Sequence, residues 1–435
     1  VLLHIYYKES GYGKKLHYPP LGIAYISEYL DKNNIEHYII DQGLGYTTTQ
    51  ILKKLKKLNP NWIGISINSL SLNKTHELIK KIKKKIAQSK IVVGGPHVTT
   101  QGIEIFSELP SIDYAIVGEG EKSFFDLITN KDKLKIKGLI YKNDNGFIKS
   151  NERRITKDIN KLPFPKFKRF ELDKYQKKII PIISSRGCPF KCIFCQQSSL
   201  LSKNWRGISA ENFIKILKYW QNKSYKEIHI LDDNFAFNLK RLDRIVELYE
   251  KENLNKIKID IVGGIRVSTT IKDTLLLFKR LGVDYISFGI ESFSDKVLNF
   301  IKKGITEKQV EETIKIATEM KFKVRLFFII GLPYQTIESL RNTYKLIFKY
   351  PIYQVRFFNL IPYEDTELME WLDENGRLIY PPSEYMNHFK KYQKIPVFEA
   401  KHTMSFEERT LQLKIAQKVV KLVNKRSKFL FAESN

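Results

Sequence analysis

Cysteine is scarce in this chain: three residues in 435, all between positions 188 and 195. An odd, clustered set cannot build the paired framework that staples small secreted domains. The thiols therefore point to a reducing compartment and to duty as ligands. Long apolar runs are missing too, and nothing approaches the ~20 residues that a membrane-spanning helix needs. The opening VLLHIYY gives way at once to KESGYGKK, so no secretory leader is expected. Acidic residues are outnumbered, 47 against 74 Lys and Arg, for a formal net charge of +27. Such an excess fits a nucleic-acid surface. The lysines of KKLKKL (53–58) and KKIKKK (80–85), however, share helical patterns with inward-facing Leu and Ile, so they read as solvated faces. Charge alone names no partner. There is no internal repeat and no low-complexity tract. Apolar residues are plentiful at 43%, enough for buried cores in two or three domains.

Over residues 1–130 short β-branched runs alternate with amphipathic stretches. LLHIYY (2–7), EHYIID (36–41), WIGISI (62–67), IVVGG (91–95) and YAIVGEG (114–120) read as strands. LGIAYISEYLDKN (21–33), TQILKKLKKL (49–58), HELIKKIKKKIAQ (76–88) and EKSFFDLI (121–128) read as helices. This alternation predicts an α/β domain with a doubly wound parallel sheet, whose ligands bind beyond the carboxyl ends of the strands. The loops there are Gly43–Tyr46, Asn68–Asn73, Gly94–Thr100 and Gly118–Glu121. Residues 131–180 read as a hairpin around Asn143–Gly146 followed by the proline-containing linker LPFPKF. From 181 to 370 a second series begins, with strands PIISS, EIHILDD, KIDIVGGIR, YISFGIES, KVRLFFIIG and QVRFFNLIP. Six βα units predict a partial TIM-type barrel, with its chemistry at the carboxyl ends of the strands. Residues 371–435 form a mixed extension ending in a basic helix, ERTLQLKIAQKVVKLVNK (408–425).

Directly after the first barrel strand, SSRGCPFKCIFCQQ places Cys188, Cys192 and Cys195 in C-x3-C-x2-C spacing. Three thiolates on one loop can hold three corners of a 4Fe–4S cluster, leaving the fourth iron open for substrate chemistry. A structural zinc would want a fourth ligand, and no further Cys or nearby His offers one. With Phe194 before the last cysteine, and with six βα units following, the segment resembles the radical S-adenosylmethionine (SAM) superfamily. That resemblance implies a cluster-bound SAM that is cleaved to methionine and a 5′-deoxyadenosyl radical. It also implies roles at the other strand ends. Asp232, Asp233 and Asn234 would meet the SAM amino group, or cap the helix that follows. Glu291 and Ser292 would face the ribose or carboxylate. Arg266 would pair the carboxylate, or else form a salt bridge with Asp232 or Glu291. Gly331, in FFIIGLP, would let the adenine approach the backbone, or simply make a turn.

The first domain, through YPPLGIAYISEYL, IGISINSLS, VVGGPHVT and DYAIVGEGE, resembles the cobalamin-binding domain of B12-dependent radical SAM enzymes. The resemblance implies contacts to cobalamin from Ser69, Ser71, Gly94, Gly95, Pro96, His97, Gly118 and Glu119, with the Ser69/Ser71 segment and Gly94–Gly95 beside the nucleotide tail. Lys8–Lys15 carries no histidine, so cobalamin is expected without a protein imidazole below the cobalt. His97 is a candidate for that position, but a hydrogen-bonding role in its loop is the simpler reading. The expected function is radical methyl transfer to an unactivated carbon or phosphorus of a small-molecule or lipid-like substrate. Cyclisation without methyl transfer is the alternative, and a basic RNA- or surface-binding protein with a structural cluster is the rival from outside the class. Absence of further cysteines argues against the methylthiotransferases and the cysteine-relay RNA methylases, and so against nucleic acid as a partner. A flavodoxin- or ferredoxin-like electron donor, a cytoplasmic setting and no membrane span complete the expectation.

Overall fold

The computed structural model describes residues 1–6, 18–144, 146–150, 152–175, 179–197, 204–267 and 271–432. Two compact units emerge, one of residues 1–177 with 386–389 and one of residues 178–385 with 390–435.

In the first unit the apolar runs are nearly continuous because both faces of a parallel sheet must be covered. β1 (Leu2–His4), β2 (Ile39–Asp41), β3 (Trp62–Ser66), β4 (Lys90–Gly94) and β5 (Tyr114–Ile116) run parallel in the order β2-β1-β3-β4-β5. Between them lie α1 (Leu21–Lys32), α2 (Thr48–Leu58), α3 (Leu72–Lys85), the short α4 (Pro96–Gln101) and α5 (Ile105–Glu108), and then α6 (Gly120–Ile128). Ile63, Ile65, Ile91 and Val93 form one buried cluster with Ile51, Leu52 and Leu55 of α2 and Leu78, Ile79 and Ile82 of α3. Gly64, between two of those isoleucines, points to the other face. A Cβ there would come within 2.9 Å of the Phe124 ring of α6. On that face α6 meets α1, with Tyr29 edge-on to Phe125 at 5.8 Å. The lysine runs lie where amphipathicity puts them, with Lys53, Lys54, Lys56, Lys57, Lys80, Lys81, Lys84 and Lys85 exposed.

Two expectations for this unit need correction. The hairpin, β6 (Leu139–Asn143) and β7 (Gly146–Lys149), adds antiparallel strands to β5 and widens the sheet to seven. Its Leu139 and Ile140 supply the apolar face that the edge of β5 needs. Residues 94–100 were expected as a loop, yet a helix starts at Pro96. Gly95 turns the chain at φ +101° and ψ −174°, and proline is at home in the first turn, where its missing N–H has no partner to lose.

The second unit repeats the alternation six times. Its strands are β8 (Ile179–Ile182), the two-residue β9 (Ser185–Arg186) and β10 (Arg206–Gly207), then β11 (Glu227–Ile230), β12 (Lys258–Ile261), β13 (Tyr285–Glu291), β14 (Lys323–Ile330) and β15 (Gln354–Asn359). Its helices are α7 (Ala210–Asn222), α8 (Leu239–Lys251), α9 (Ile271–Arg280), α10 (Asp295–Phe300), α11 (Glu307–Glu319) and α12 (Ile337–Lys349). β8, β11 and β12 form one parallel sheet, β13, β14 and β15 another, and a parallel bridge between Ile265 and Phe288 joins them. The result is a six-unit partial barrel. β12 stops at Ile261, short of the expected Arg266, because two glycines turn the chain. A Cβ at Gly263 would lie 2.4 Å from the Asp232 carbonyl, and Gly264 has φ +78°. The tail is part of the barrel's packing. After α13 (Glu367–Asn375) come the antiparallel β16 (Gly376–Leu378) and β17 (Phe398–Ala400), and then α14 (Phe406–Leu430). Leu413 and Ala416 of α14 bury against Ile330 and Leu340.

Gly95 tests the first-unit geometry. Its backbone conformation is essentially restricted to glycine, and a Cβ would meet the Ile67 carbonyl at 2.8 Å. Gly95→Ala should therefore cost at least ~1–3 kcal/mol in denaturant unfolding. At Gly94 the nearest atom to a Cβ is the Ile116 carbonyl, at an ordinary 3.5 Å, so Gly94→Ala should leave the unfolding midpoint nearly unchanged.

Candidate functional site

The cysteine loop leaves the barrel just beyond β8 and is fixed from below by a buried carboxylate. Asp232, 2% exposed, accepts hydrogen bonds from Ser184 N (2.6 Å), Ser184 Oγ (2.7 Å) and Ser185 Oγ (2.7 Å). Burial pushes its pKa up, and the two serines, together with the charge of Arg241, oppose that rise. Arg241 donates to the Ile208 carbonyl at 2.6 Å and to Ser184 Oγ at 3.0 Å, with Trp205, Phe213 and Phe235 around its guanidinium. Both carboxylate oxygens of Asp232 are thus already taken, and its place in the structure is to hold the strand that launches the loop. Asn234 is buried as well, and its carbonyl accepts from Trp205 Nε1 at 3.0 Å.

Above this base stand the three thiols, none of them in a disulfide. Burial raises the pKa of Cys188, and that of Cys195 to about 11. A thiolate in this loop is therefore costly by itself and needs a cation to hold it, which is what coordinated iron supplies. The Cys192 thiol lies 3.8 Å from the Lys302 carbonyl. Arg266 donates from Nη1 to Cys192 Sγ at 3.7 Å, and its guanidinium lies 3.7 Å over the Phe190 ring. Of the three partners expected for Arg266, then, neither Asp232 nor Glu291 takes it. The carboxyl of Asp233 accepts from the Gly187 backbone, and burial pushes its pKa up to about 6. Glu291 sits at a bulge of β13 with φ +70° and pairs with Lys303 at 3.0 Å. Both side chains are mostly buried. Lys303 Nζ stands 6.0 Å from the Phe194 ring. Ser292 is buried.

Of the two readings of Gly331, the geometry agrees with a turn, at φ +97°. Its N–H donates to Gln335 Oε1 at 2.7 Å, and the space of a Cβ is filled by Arg409 Nε at 2.6 Å, so that side of the turn is closed by the chain itself. Lys303, Arg241 and Phe190 were not foreseen. Lys303 is one of many lysines, and only its pairing with Gly304 in a turn sets it apart in the sequence.

At the carboxyl ends of the first sheet the expected residues separate into two groups. Gly94 leaves room for close approach. Gly95 and Gly118 do not, because a Cβ at Gly118 would meet the Arg154 carbonyl at 2.6 Å. Glu119 accepts from Thr156 N at 2.7 Å. Ser71 caps its own turn with Asn68, and Pro96 opens α4. His97 is buried with both ring nitrogens engaged, Nδ1 by Ser69 Oγ (3.0 Å) and Nε2 by Glu108 (2.7 Å). Both contacts agree with the simpler reading of this residue, a hydrogen-bonding role in its loop. His4 at the end of β1, which sequence reasoning passed over, hydrogen-bonds Asp41 at 2.8 Å, and Tyr175 reaches the same carboxylate at 2.6 Å. The segment Lys8–Lys15 lies outside the described residues.

A partial parallel barrel with three thiols on its first loop, Cys192 buried and Cys188 and Cys195 half-buried, preceded by a doubly wound sheet, defines an iron–sulfur barrel enzyme with a second nucleotide-type domain. Residues 182–347 match the radical SAM superfamily, and residues 15–128 match the B12 binding domain. An uncharacterized methyltransferase of Pyrococcus horikoshii is 34% identical over 398 residues, 89% of this chain and 84% of that protein. The anaerobic magnesium-protoporphyrin IX monomethyl ester cyclase of Rubrivivax gelatinosus is 25% identical over 374 residues, 80% of this chain and 65% of that one. The fold is shared with the radical SAM methyltransferase TsrM of Kitasatospora setae, solved with cobalamin and a 4Fe–4S cluster. The TM-score is 0.76 at 14% identity, covering 95% of this chain and 90% of that one. The chain belongs to the radical SAM enzymes that carry a B12-binding domain. Its cofactors are those of the family: a 4Fe–4S cluster, SAM and cobalamin. The three-thiol donor set fits the cluster, and at the end of β4 a Cβ on Gly94 would make only an ordinary contact, 3.5 Å from the Ile116 carbonyl, so the chain does not close that position as it closes Gly95 and Gly118. Among the described residues no helix is long and apolar enough to cross a membrane.

Asp232→Ala should destabilise the protein by about 1–3 kcal/mol or more, because it leaves the buried Ser184 N–H and the Ser184 and Ser185 hydroxyls without their acceptor. Thermal unfolding of the apoprotein, read before any cluster is built, checks this independently of chemistry.

Proposed function

We propose that this enzyme transfers a methyl group to an unactivated carbon, or to a phosphinate phosphorus, of a small-molecule or lipid-like substrate. The observation that carries this reading is the joining of a three-thiol barrel loop to a B12-type sheet, in a chain 34% identical over most of its length to a protein named as a methyltransferase. When bound, the cluster and SAM supply a hydrogen-abstracting radical, and cobalamin supplies the transferable methyl. The residues of the chain then do three things. Cys188, Cys192 and Cys195 hold the cluster. Asp233 and Glu291 offer carboxylates at strand ends for the cationic and hydroxyl groups of SAM. Phe190, Phe194 and the apolar strand ends keep water from the reacting centre. A low-potential one-electron donor of flavodoxin or ferredoxin type and a reducing, cytoplasmic setting suit three cysteines outside any disulfide that would ligate a cluster.

The identity to the cyclase supports a second reading, in which a ring closes and no methyl moves. Product analysis separates the two. The reduced, cobalamin-supplemented enzyme, incubated with SAM, should release both 5′-deoxyadenosine and S-adenosylhomocysteine if it methylates. Release of 5′-deoxyadenosine alone would favour the cyclase reading. Release of neither would return the chain to a basic surface-binding role with a structural cluster.

The perturbed carboxyl of Asp233 gives a pH signature. With its pKa raised to about 6 it is mostly ionised at neutral pH, and it loses its charge as pH falls through that value. A neutral carboxyl holds a cation poorly. SAM affinity of the cluster-loaded enzyme should therefore fall roughly three- to fivefold between pH 7.5 and 5.5, and Asp233→Asn should flatten that dependence. Equilibrium dialysis under anaerobic conditions measures both; a pH-independent affinity would place the SAM ammonium elsewhere.

A further inference from the structure

Two cations flank the cysteine loop, and they are not equivalent. Lys303 approaches the Cys195 side, but its charge is offset by the Glu291 carboxylate 3.0 Å away. Arg266 approaches the Cys188 and Cys192 side, and its hydrogen bond runs to a ligand sulfur. No carboxylate pairs with it among the described residues. Its plane is fixed by stacking on Phe190 at 3.7 Å. Gly304 leaves the room it occupies: φ there is +64°, and a Cβ would press to 3.1 Å from Nη2. The arrangement holds a guanidinium against one thiolate position without giving it an ion-pair partner.

We infer that Arg266 is a positioning residue that sets the reduction potential of the cluster, and not a ligand for the SAM carboxylate. This rests on reading the three cysteines as the cluster's ligands. Reduction moves one electron from an external low-potential donor onto the cluster, oxidising the donor by one electron and adding one unit of negative charge to the loop. Hydrogen bonds to ligand sulfur, and nearby uncompensated cations, stabilise the more negative state and so raise the potential. Among the described residues the Arg266 guanidinium, 3.7 Å from Cys192 Sγ and without a carboxylate partner, is the cation placed to act in this way. The neutral Lys303–Glu291 pair contributes little until one partner is removed.

The test is an anaerobic redox titration of reconstituted protein without SAM, followed by electron paramagnetic resonance, alongside SAM binding by equilibrium dialysis. Arg266→Met should keep the broad iron–sulfur absorption near ~400 nm and shift the midpoint potential to more negative values. Arg266→Lys should recover part of the shift. Glu291→Gln, which uncovers the charge of Lys303, should move the potential the opposite way, a sign that mere loosening of the site would not produce. An unchanged potential in Arg266→Met with an intact cluster, or a large loss of SAM affinity without a change in potential, would overturn the inference. If Arg266→Met assembles no cluster, the sign of the Glu291→Gln shift decides alone, and a negative or absent shift there overturns it. Failure of the unmutated protein to build a cluster would overturn the cluster reading itself.

Discussion

One buried carboxylate organises the catalytic end of the barrel. Asp232 ties the end of β8 to the end of β11 through both Ser184 and Ser185, and everything that follows in the chain for ten residues depends on where those serines stand. Two serines and an arginine make its charge tolerable in a place without solvent. Arg241 in turn needs an aromatic surround, which Trp205, Phe213 and Phe235 supply from three different segments. A polar network of this kind is valuable for definition more than for stability, since a half-satisfied version would be worse than an apolar core. It gives the loop a single starting direction.

Charge then governs the loop itself. Three thiol positions, the carboxyls of Asp233 and Glu291, and the cations Arg266 and Lys303 crowd the end of the barrel. Burial works against the ionised forms of Cys188 and Cys195. Pairing Lys303 with Glu291 keeps the net charge small while leaving one cation uncommitted. The strained backbone at Glu291, a non-glycine residue at φ +70°, is the conformational cost of aiming that carboxylate into the site.

Much of the architecture was legible because period-two and helical spacing are written by burial. Ile63, Ile65, Ile91 and Val93 announced a sheet covered on both faces, and the spacing of Cys188, Cys192 and Cys195, with Phe194 and the preceding strand, announced the family. What escaped was decided by partners distant in the chain. That Arg266 would choose Cys192 over Asp232 depends on Arg241, 25 positions away, having taken the neighbourhood of Asp232 already. That Gly118 would be closed by Arg154 depends on the path of the segment after the hairpin. Glycine is ambiguous in a sequence for this reason: at Gly94 a Cβ would make only an ordinary contact, whereas Gly95 and Gly118 leave space for the protein. His97 shows the same limit, a residue of metal-binding type whose two nitrogens were both answered from within the fold.

The raised thiol pKa values bear on how the enzyme matures. A protonated thiol is a poor nucleophile and a poor target for oxidants, so Cys188 and Cys195 in the unloaded chain are held in their least reactive form. The newly folded loop is thereby guarded against closing on itself as a disulfide or climbing toward sulfenic acid. Iron, when bound, would take the place of those protons, so that the sulfurs would carry their charge only where a metal holds it.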